Sequence, residues 1–379
     1  LEKLKNKIDL HPNMIDWTRS FGQSIDYKAG ILAIGSDDTP VDQFGNCGTV
    51  HLYRRLAKRW APTQILSHPE PLHDAFYGWS VSVDPLGRRI AVGADDHDGV
   101  GSCAGAVYIY EKNGKIFDLV QNLYPKDKYT DHAYFGFSVD IYGDELIIGA
   151  PSYQSKATDI LKGRASPAVY FYIQRDGKYE LMDIATMAWP FFGGNVRITK
   201  NGYIATCHKN GNGEIWVYNK KFIPQQIIKA PYKACGFGKS ISVFDGWLLV
   251  GAPLTEYGGS AYLYGFVSGK YRLITEIFHI PTSGSCFGYD VSVCEKYFAV
   301  TDPHCRNHMQ FENYCGGIGG IKGTIYIFDI ENYDLITQFE SESPVGGHVI
   351  HVDNQYIFEG NPSANHSQGE VNIYDYSEF

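Results

Sequence analysis

The sequence predicts an all-β protein of seven four-stranded antiparallel units in a closed radial array. Three observations predict it. One motif recurs seven times along the 379 residues, each copy alternates like a set of strands, and the first segment carries the strand that the last copy lacks. Self-similarity at such a period marks radial or stacked repeat architectures.

Each copy opens on an aromatic-Gly pair and a short alternating strand. The openings are Phe21-Gly22-Gln23-Ser24-Ile25, Tyr77-Gly78-Trp79-Ser80-Val81, Phe135-Gly136-Phe137-Ser138-Val139 and Phe192-Gly193-Gly194-Asn195-Val196. Phe237-Gly238-Lys239-Ser240-Ile241, Phe287-Gly288-Tyr289-Asp290-Val291 and the worn Gly346-Gly347-His348-Val349-Ile350 follow, at spacings of roughly 45 to 59 residues. A tight turn comes next, such as Gly143-Asp144, Asn201-Gly202 or Asp245-Gly246, as a hairpin requires. The second strand is an Ile/Leu/Val-rich run ending near Gly-Ala-Pro, as in Leu146 to Pro151 and Trp247 to Pro253. Such a run suits a strand buried on both faces.

The third strand reads Gly-x-Val-Tyr-x-Tyr, for example Gly105 to Tyr110 and Gly259 to Tyr264. β-Branched and aromatic residues in this alternation favour a pleated strand. Six fourth strands are expected to end on proline, over Thr63 to Pro69, Phe117 to Pro125, Glu180 to Pro190, Gln225 to Pro231, Arg272 to Pro281 and Leu335 to Pro344. Proline donates no ladder hydrogen bond and suits a strand end or an edge. The copy beginning at Gly346 runs to Phe379 without a fourth strand, while Leu4 to Pro12 has the missing pattern. The N-terminal segment is therefore expected to complete the last unit and close the array without exposed edges.

The pattern Phe-Gly-x-Ser-Val, apolar run, Gly-Ala-Pro, Gly-x-Val-Tyr-x-Tyr resembles the FG-GAP repeat of integrin α-subunit head domains. Phe135 to Val139 with Ile148 to Pro151, and Phe237 to Ile241 with Val250 to Pro253, carry the match best. The resemblance implies a seven-bladed β-propeller of four-stranded antiparallel blades, its last blade closed by the N-terminal strand. The repeat leaves no linker, so one domain over residues 1–379 is expected, with blades starting near 21, 77, 135, 192, 237, 287 and 346. A shared fold says little about activity.

Composition narrows the function classes. A net charge of -9 argues against nucleic acid as a partner. No stretch approaches the roughly 20 apolar residues of a membrane helix, and helix should be scarce. The sequence begins at Leu1, which fits a secreted chain after signal removal and fits equally a segment of a longer chain. With the resemblance, an extracellular or cell-surface location is the expectation.

Of eight cysteines, Cys305 and Cys315 flank one long loop and are the first expected disulfide. Cys47 and Cys103 hold equivalent positions before adjacent third strands, which makes a bridge between them geometrically conceivable. Cys207 and Cys294 read as buried thiols. Asn365-His366-Ser367 is the lone glycan-acceptor triplet.

Loops between the first and second strands are minimal, whereas those between the second and third are long and unlike one another. They run over residues 36–47, 95–104, 152–166, 304–322 and 363–368 and are expected on one face. Variable loops on a rigid scaffold carry recognition. In integrin heads the corresponding loops form the ligand- and partner-binding surface. The expected partner-binding residues are Asp37, Asp38, Asp42, Asp95, Asp96, Asp98, Tyr153, Arg164, Tyr257, Arg306, Phe311 and Tyr314.

Carboxylates as dense as Asp95, Asp96 and Asp98 could coordinate Ca²⁺, but turn capping by side-chain-to-backbone hydrogen bonds is the preferred reading. The family's calcium loops lie between the first two strands and have no counterpart here, so no cofactor is expected. His304, Cys305 and His308 with Cys315 match no familiar zinc spacing. Tyr108, Tyr170, Trp216 and Tyr262 read as packing between blades, not as a glycan-stacking array. No nucleophile elbow, phosphate loop or metalloprotease helix is present. The expectation is a non-enzymatic adhesion or assembly module binding a protein partner or a larger assembly, with a carbohydrate-binding propeller as the alternative.

Overall fold

The apolar second strand of each copy is the most deeply buried. In Ile31–Ser36, Arg89–Ala94 and Tyr356–Asn361 every residue is buried, because a packed layer covers each face. The computed structural model describes residues 7–10, 18–56, 59–126, 130–152, 165–209, 212–231, 236–255, 258–278, 285–303, 322–341 and 348–376.

These residues form seven four-stranded antiparallel sheets, the blades of a β-propeller. Blade 1 is Ser24–Lys28, Ile31–Ser36, Thr49–Leu56 and Arg59–Ser67. Blade 2 is Tyr77–Val83, Arg89–Ala94, Ala106–Asn113 and Ile116–Leu123. Blade 3 is Ser138–Tyr142, Glu145–Ala150, Ala168–Arg175 and Lys178–Thr186. Blades 4, 5 and 6 open on Val196–Thr199, Ile241–Phe244 and Val291–Val293. Blade 7 comprises Val349–Val352, Tyr356–Asn361, Glu370–Asp375 and, as its fourth strand, Lys7–Leu10. That last pairing, Lys7 opposite Tyr374 through Leu10 opposite Val371, is the expected closure of the blade.

The fourth strands end at Ser67, Leu123, Thr186, Lys229, Phe278 and Glu340, before the prolines expected to terminate them. A bulge the sequence did not announce recurs where the third strand meets the fourth. The register shifts between Leu52 and Tyr53, Ile109 and Tyr110, Phe171 and Tyr172, Leu263 and Tyr264, and Ile327 and Phe328. A bulge increases local twist. The one helix among the described residues is the four-residue Ala364–Ser367, which contains the acceptor Asn365.

The chain gathers into two compact units, Pro12–Cys207 with Val217–Pro224, and Leu1–His11 with His208–Trp216 and Gln225–Phe379. In the first, the third-strand residues Val50 and Leu52 of blade 1 share a core with Tyr77, Val92 and Tyr108 of blade 2. Val107 and Ile109 of blade 2 meet Phe135, Ile148 and Tyr170 of blade 3 in the same way. The second unit repeats this, with Leu249 and Leu263 of blade 5 against Phe287, Val300 and Tyr326 of blade 6. The opening aromatic stands edge-on to the third-strand aromatic of its own blade, Phe135 to Tyr170 at 4.9 Å and Phe287 to Tyr326 at 5.2 Å. Trp216 is only half-buried.

The motif's small residues share one cause. A methyl group on Gly35, Gly93 or Gly149 at the end of a second strand would overlap the carbonyl oxygen of the next blade's opening glycine, Gly78, Gly136 or Gly193. Gly251 stands in the same relation to Gly288. The third-strand glycines Gly48, Gly105 and Gly259 abut the backbones of Tyr77, Phe135 and Phe287. The motif serine completes the joint by donating to that carbonyl: Ser24 to Gly78 at 2.8 Å, Ser80 to Gly136 at 2.7 Å and Ser138 to Gly193 at 2.8 Å. Two residues further on, a polar side chain accepts a backbone N–H of the next blade. Val83 donates to Asp26 at 2.7 Å, Ile141 to Ser82 at 3.2 Å, Ile198 to Asp140 at 2.7 Å and Val352 to Ser292 at 3.0 Å.

Candidate functional site

Antiparallel register fixes which end of a blade carries the long loops. Ser24 lies opposite Gly35 and Ser138 opposite Gly149, so each blade's opening and its second-strand exit share one end. The tight turns occupy the other end. At one of them Asp245 and Gly246 both take positive φ, 37° and 91°, as a two-residue hairpin turn demands.

At the long-loop end of blades 1 and 2, the expected acidic residues take unlike positions. Asp37 and Asp95 follow the second strands directly and are 4% and 6% exposed. Burial, and then the charge of Asp38, hold the Asp37 carboxyl well above its ordinary value. Burial does the same to Asp95, with Asp96 and then Asp37 adding to it, so the acids of the two blades lie within electrostatic reach of each other. Oδ1 of each has no hydrogen-bond partner among the described residues. Asp38 accepts from the Ser20 hydroxyl at 2.8 Å. Asp42 is exposed, at φ 54°, in a turn closed by Val41 and Phe44. Asp98 is exposed and accepts the Cys103 amide at 2.7 Å, which is the turn-capping role.

Among the described residues no group of three or more His, Cys, Asp and Glu side chains is disposed to hold a metal ion. Tyr153, Arg164, Tyr257, Arg306, Phe311 and Tyr314 lie outside the described residues, as do His304, Cys305, His308 and Cys315.

The Cys47–Cys103 disulfide does not form; both residues are free thiols. Each belongs to its own blade's joint with the next: the Cys47 carbonyl accepts from Tyr77 N–H at 3.0 Å, the Cys103 carbonyl from Tyr134 N–H at 3.1 Å. Cys47 thereby corresponds to Ala104, which accepts from Phe135 N–H, and Cys103 to Asn46, which accepts from Phe76 N–H, so the two cysteines are one residue out of register as well as one blade apart. Burial, and then hydrogen bonding to Asp96, push the Cys103 thiol up to about 11. Cys294 is a buried thiol, and Cys207 is buried with its thiol 3.7 Å from the Met187 sulfur.

The loops are knitted to the connections between blades. The Gly45 amide donates to His73 Nδ1 at 3.0 Å, and Asn46 Nδ2 to Asp74 Oδ1 at 2.9 Å. In the next blade the Ser102 amide donates to Asp131 Oδ1 at 3.2 Å, and the Thr130 hydroxyl to the Val100 carbonyl at 3.1 Å. Beneath them lies a buried aromatic and imidazole cluster of His68, His97, Tyr77 and Tyr108. Sequence reasoning missed the two histidines. The available signal was a histidine beside each acidic or proline-bearing exit, His68 before Pro69 and His97 between Asp96 and Asp98.

Residues 117–172, from the fourth strand of blade 2 to the third of blade 3, match the family model of the FG-GAP repeat. The class is thus a seven-bladed propeller that carries the FG-GAP repeat, as the motif implied. Solved structures similar to the chain include the RRP9 WD40 repeats, at 10% identity over 97% of each chain with a TM-score of 0.59. U3-55K aligns at 10% identity, over 97% of this chain and 98% of its own, with a TM-score of 0.60. Sqt1 of Saccharomyces cerevisiae aligns at 10% identity over 97% of each, with a TM-score of 0.54. Identity this low speaks for the fold alone. No curated protein matches the chain. No helix among the described residues is long and apolar enough to cross a membrane.

Proposed function

We propose that this propeller is a non-enzymatic interaction module that binds a protein partner through the long-loop end of its blades. One observation carries the reading: the loops of blades 1 and 2 are tied to the following connections by side-chain hydrogen bonds. A loop ordered before binding loses less entropy when it meets a partner. The exposed carboxylates of Asp42, Asp74, Asp98 and Asp131 give this surface a negative sign, so a partner with a basic face is favoured. The likeness to integrin heads supports an adhesive or assembly role and an extracellular or cell-surface location.

Affinity capture from the native source tests the reading, using the full chain and a variant carrying Asp42→Lys and Asp98→Lys. The wild-type chain should retain a partner that the variant loses at least tenfold, with far-UV circular dichroism unchanged. An identical captured set for both chains would refute the role of these loops. Saturable binding to a glycan panel, insensitive to both substitutions, would favour the carbohydrate-binding alternative.

A further inference from the structure

We propose that His68 and His97 form an acid-sensitive latch, fastening the connection between blades 1 and 2 to the long loop of blade 2. His68 begins the connection over residues 68–76, and His97 lies in the loop over residues 95–104. Their rings stack with centroids 5.2 Å apart and planes 12° from parallel. They are 2% and 0% exposed.

The backbone assigns the protonation of both rings. The Glu70 amide donates to His68 Nδ1, and the Gly99 amide to His97 Nδ1, each at 3.0 Å. A ring nitrogen that accepts a hydrogen bond carries no proton, so both imidazoles are neutral with hydrogen on Nε2. A second proton can enter only at Nδ1, where it meets an amide hydrogen that cannot turn away. Charging either ring therefore breaks its bond to the backbone, and charging both sets two cations face to face. The seat is tight: a methyl group on Gly99 would overlap the His97 ring.

The groups facing the pair decide the order of titration. His97 Nε2 lies 3.7 Å from Glu70 Oε2, which the Tyr124 hydroxyl and Asn122 Nδ2 hold at 2.8 and 2.9 Å through the two carboxylate oxygens. Burial lowers His97, while Glu70 and then Asp98 oppose that shift. Among the described residues, His68 faces the rings of Tyr77, Tyr108 and His97. Burial, and then the charge on His97, lower it to about 3. The first proton thus goes to His97, and the second disrupts the stack.

An opened latch returns His68 to its ordinary value of 6.5. Opening then binds protons, so its equilibrium rises about tenfold per pH unit below that value, or about 30-fold at pH 5 from His68 alone. Asp95 and Asp96, on the same loop, are raised by burial and pull the other way, since their protonated forms suit the closed state. If the loops form the recognition surface, acid would weaken partner binding; that consequence rests on the function proposed above, whereas the latch does not.

Hydrogen exchange on the full chain without a partner tests the latch, comparing pH 7.5 with pH 5.0 after correction for the intrinsic rate. In the wild type, opening of segments 68–76 and 95–104 should rise at least tenfold, with segment 138–150 of blade 3 unchanged. In the His68→Phe/His97→Phe variant the same segments should show no rise, since only Asp95 and Asp96 remain and acid there favours the closed state. Protection independent of pH in the wild type, or an equal rise in the variant, would overturn the proposal. Imidazole ¹⁵N shifts of the wild type give a readout that needs no variant. Both rings should carry hydrogen on Nε2 at pH 7.5, and His68 titrating near 6.5 in the folded protein would overturn the latch.

Discussion

Asp37 and Asp95 show how a single residue type acquires two characters at one place in the repeat. One residue further on, Asp38 and Asp96 retain partial access to water, whereas Asp37 and Asp95 are buried and held well above the ordinary carboxyl value. A buried acid with a raised folded pKa holds its proton more tightly in the native state. Its contribution is therefore most favourable below the ordinary 3.8 and declines as pH rises above it. Replacing either by Asn keeps an acceptor for the local amides and removes the buried charge. Asp37→Asn and Asp95→Asn should each stabilise the fold at pH 7.5, by on the order of 1 kcal/mol. The gain should vanish below pH 4, as read from thermal midpoints across pH; a destabilised variant at pH 7.5 would contradict this. The aspartates were visible in the sequence because they follow a recognisable strand end. Which of each pair is buried was not, because that depends on how the next blade covers the exit.

Between elements, the blade-to-blade joint accounts for the motif's glycine in blades 1, 2, 3 and 5 and for its serine in blades 1 to 3. The second-strand glycine leaves room for a carbonyl from the neighbouring blade, and the opening serine bonds that carbonyl. The opening glycine itself, Gly136 at φ 92° for instance, lies in a region closed to other residues without strain. The two contacts differ in kind. Gly149→Ala inserts atoms where backbone stands and should cost about 3 kcal/mol, whereas Ser138→Ala removes one hydrogen bond and should cost about 1 kcal/mol. Urea denaturation separates the two, and equal costs would refute the account. The fold was legible because several copies meet the same geometric demand with the same residues. The expected disulfide failed because each cysteine is held in its own blade's joint, Cys47 against Tyr77 and Cys103 against Tyr134. The latch escaped notice because stacking of His68 on His97 joins segments that no periodicity relates.

Over the whole chain, the fourth strand of blade 7 comes from the other end of the sequence. Without Lys7–Leu10, the strand Glu370–Asp375 would present a row of unpaired backbone groups. A chain lacking residues 7–10 should unfold at lower urea and associate on standing, as size-exclusion chromatography would show. A synthetic peptide spanning residues 4–12 should restore both properties. Unchanged stability in the shortened chain would mean that the pairing contributes nothing.

The partner of Leu10 is Val371, so this segment is translated long before anything exists to receive it. At ribosomal rates of about 5–20 residues per second, the wait is roughly 20 to 70 s. During that interval a β-forming stretch has only chaperones, neighbouring nascent chains or solvent for company. Crowded polysomes should therefore be where this protein is most prone to assemble wrongly, by lending its first strand to another copy.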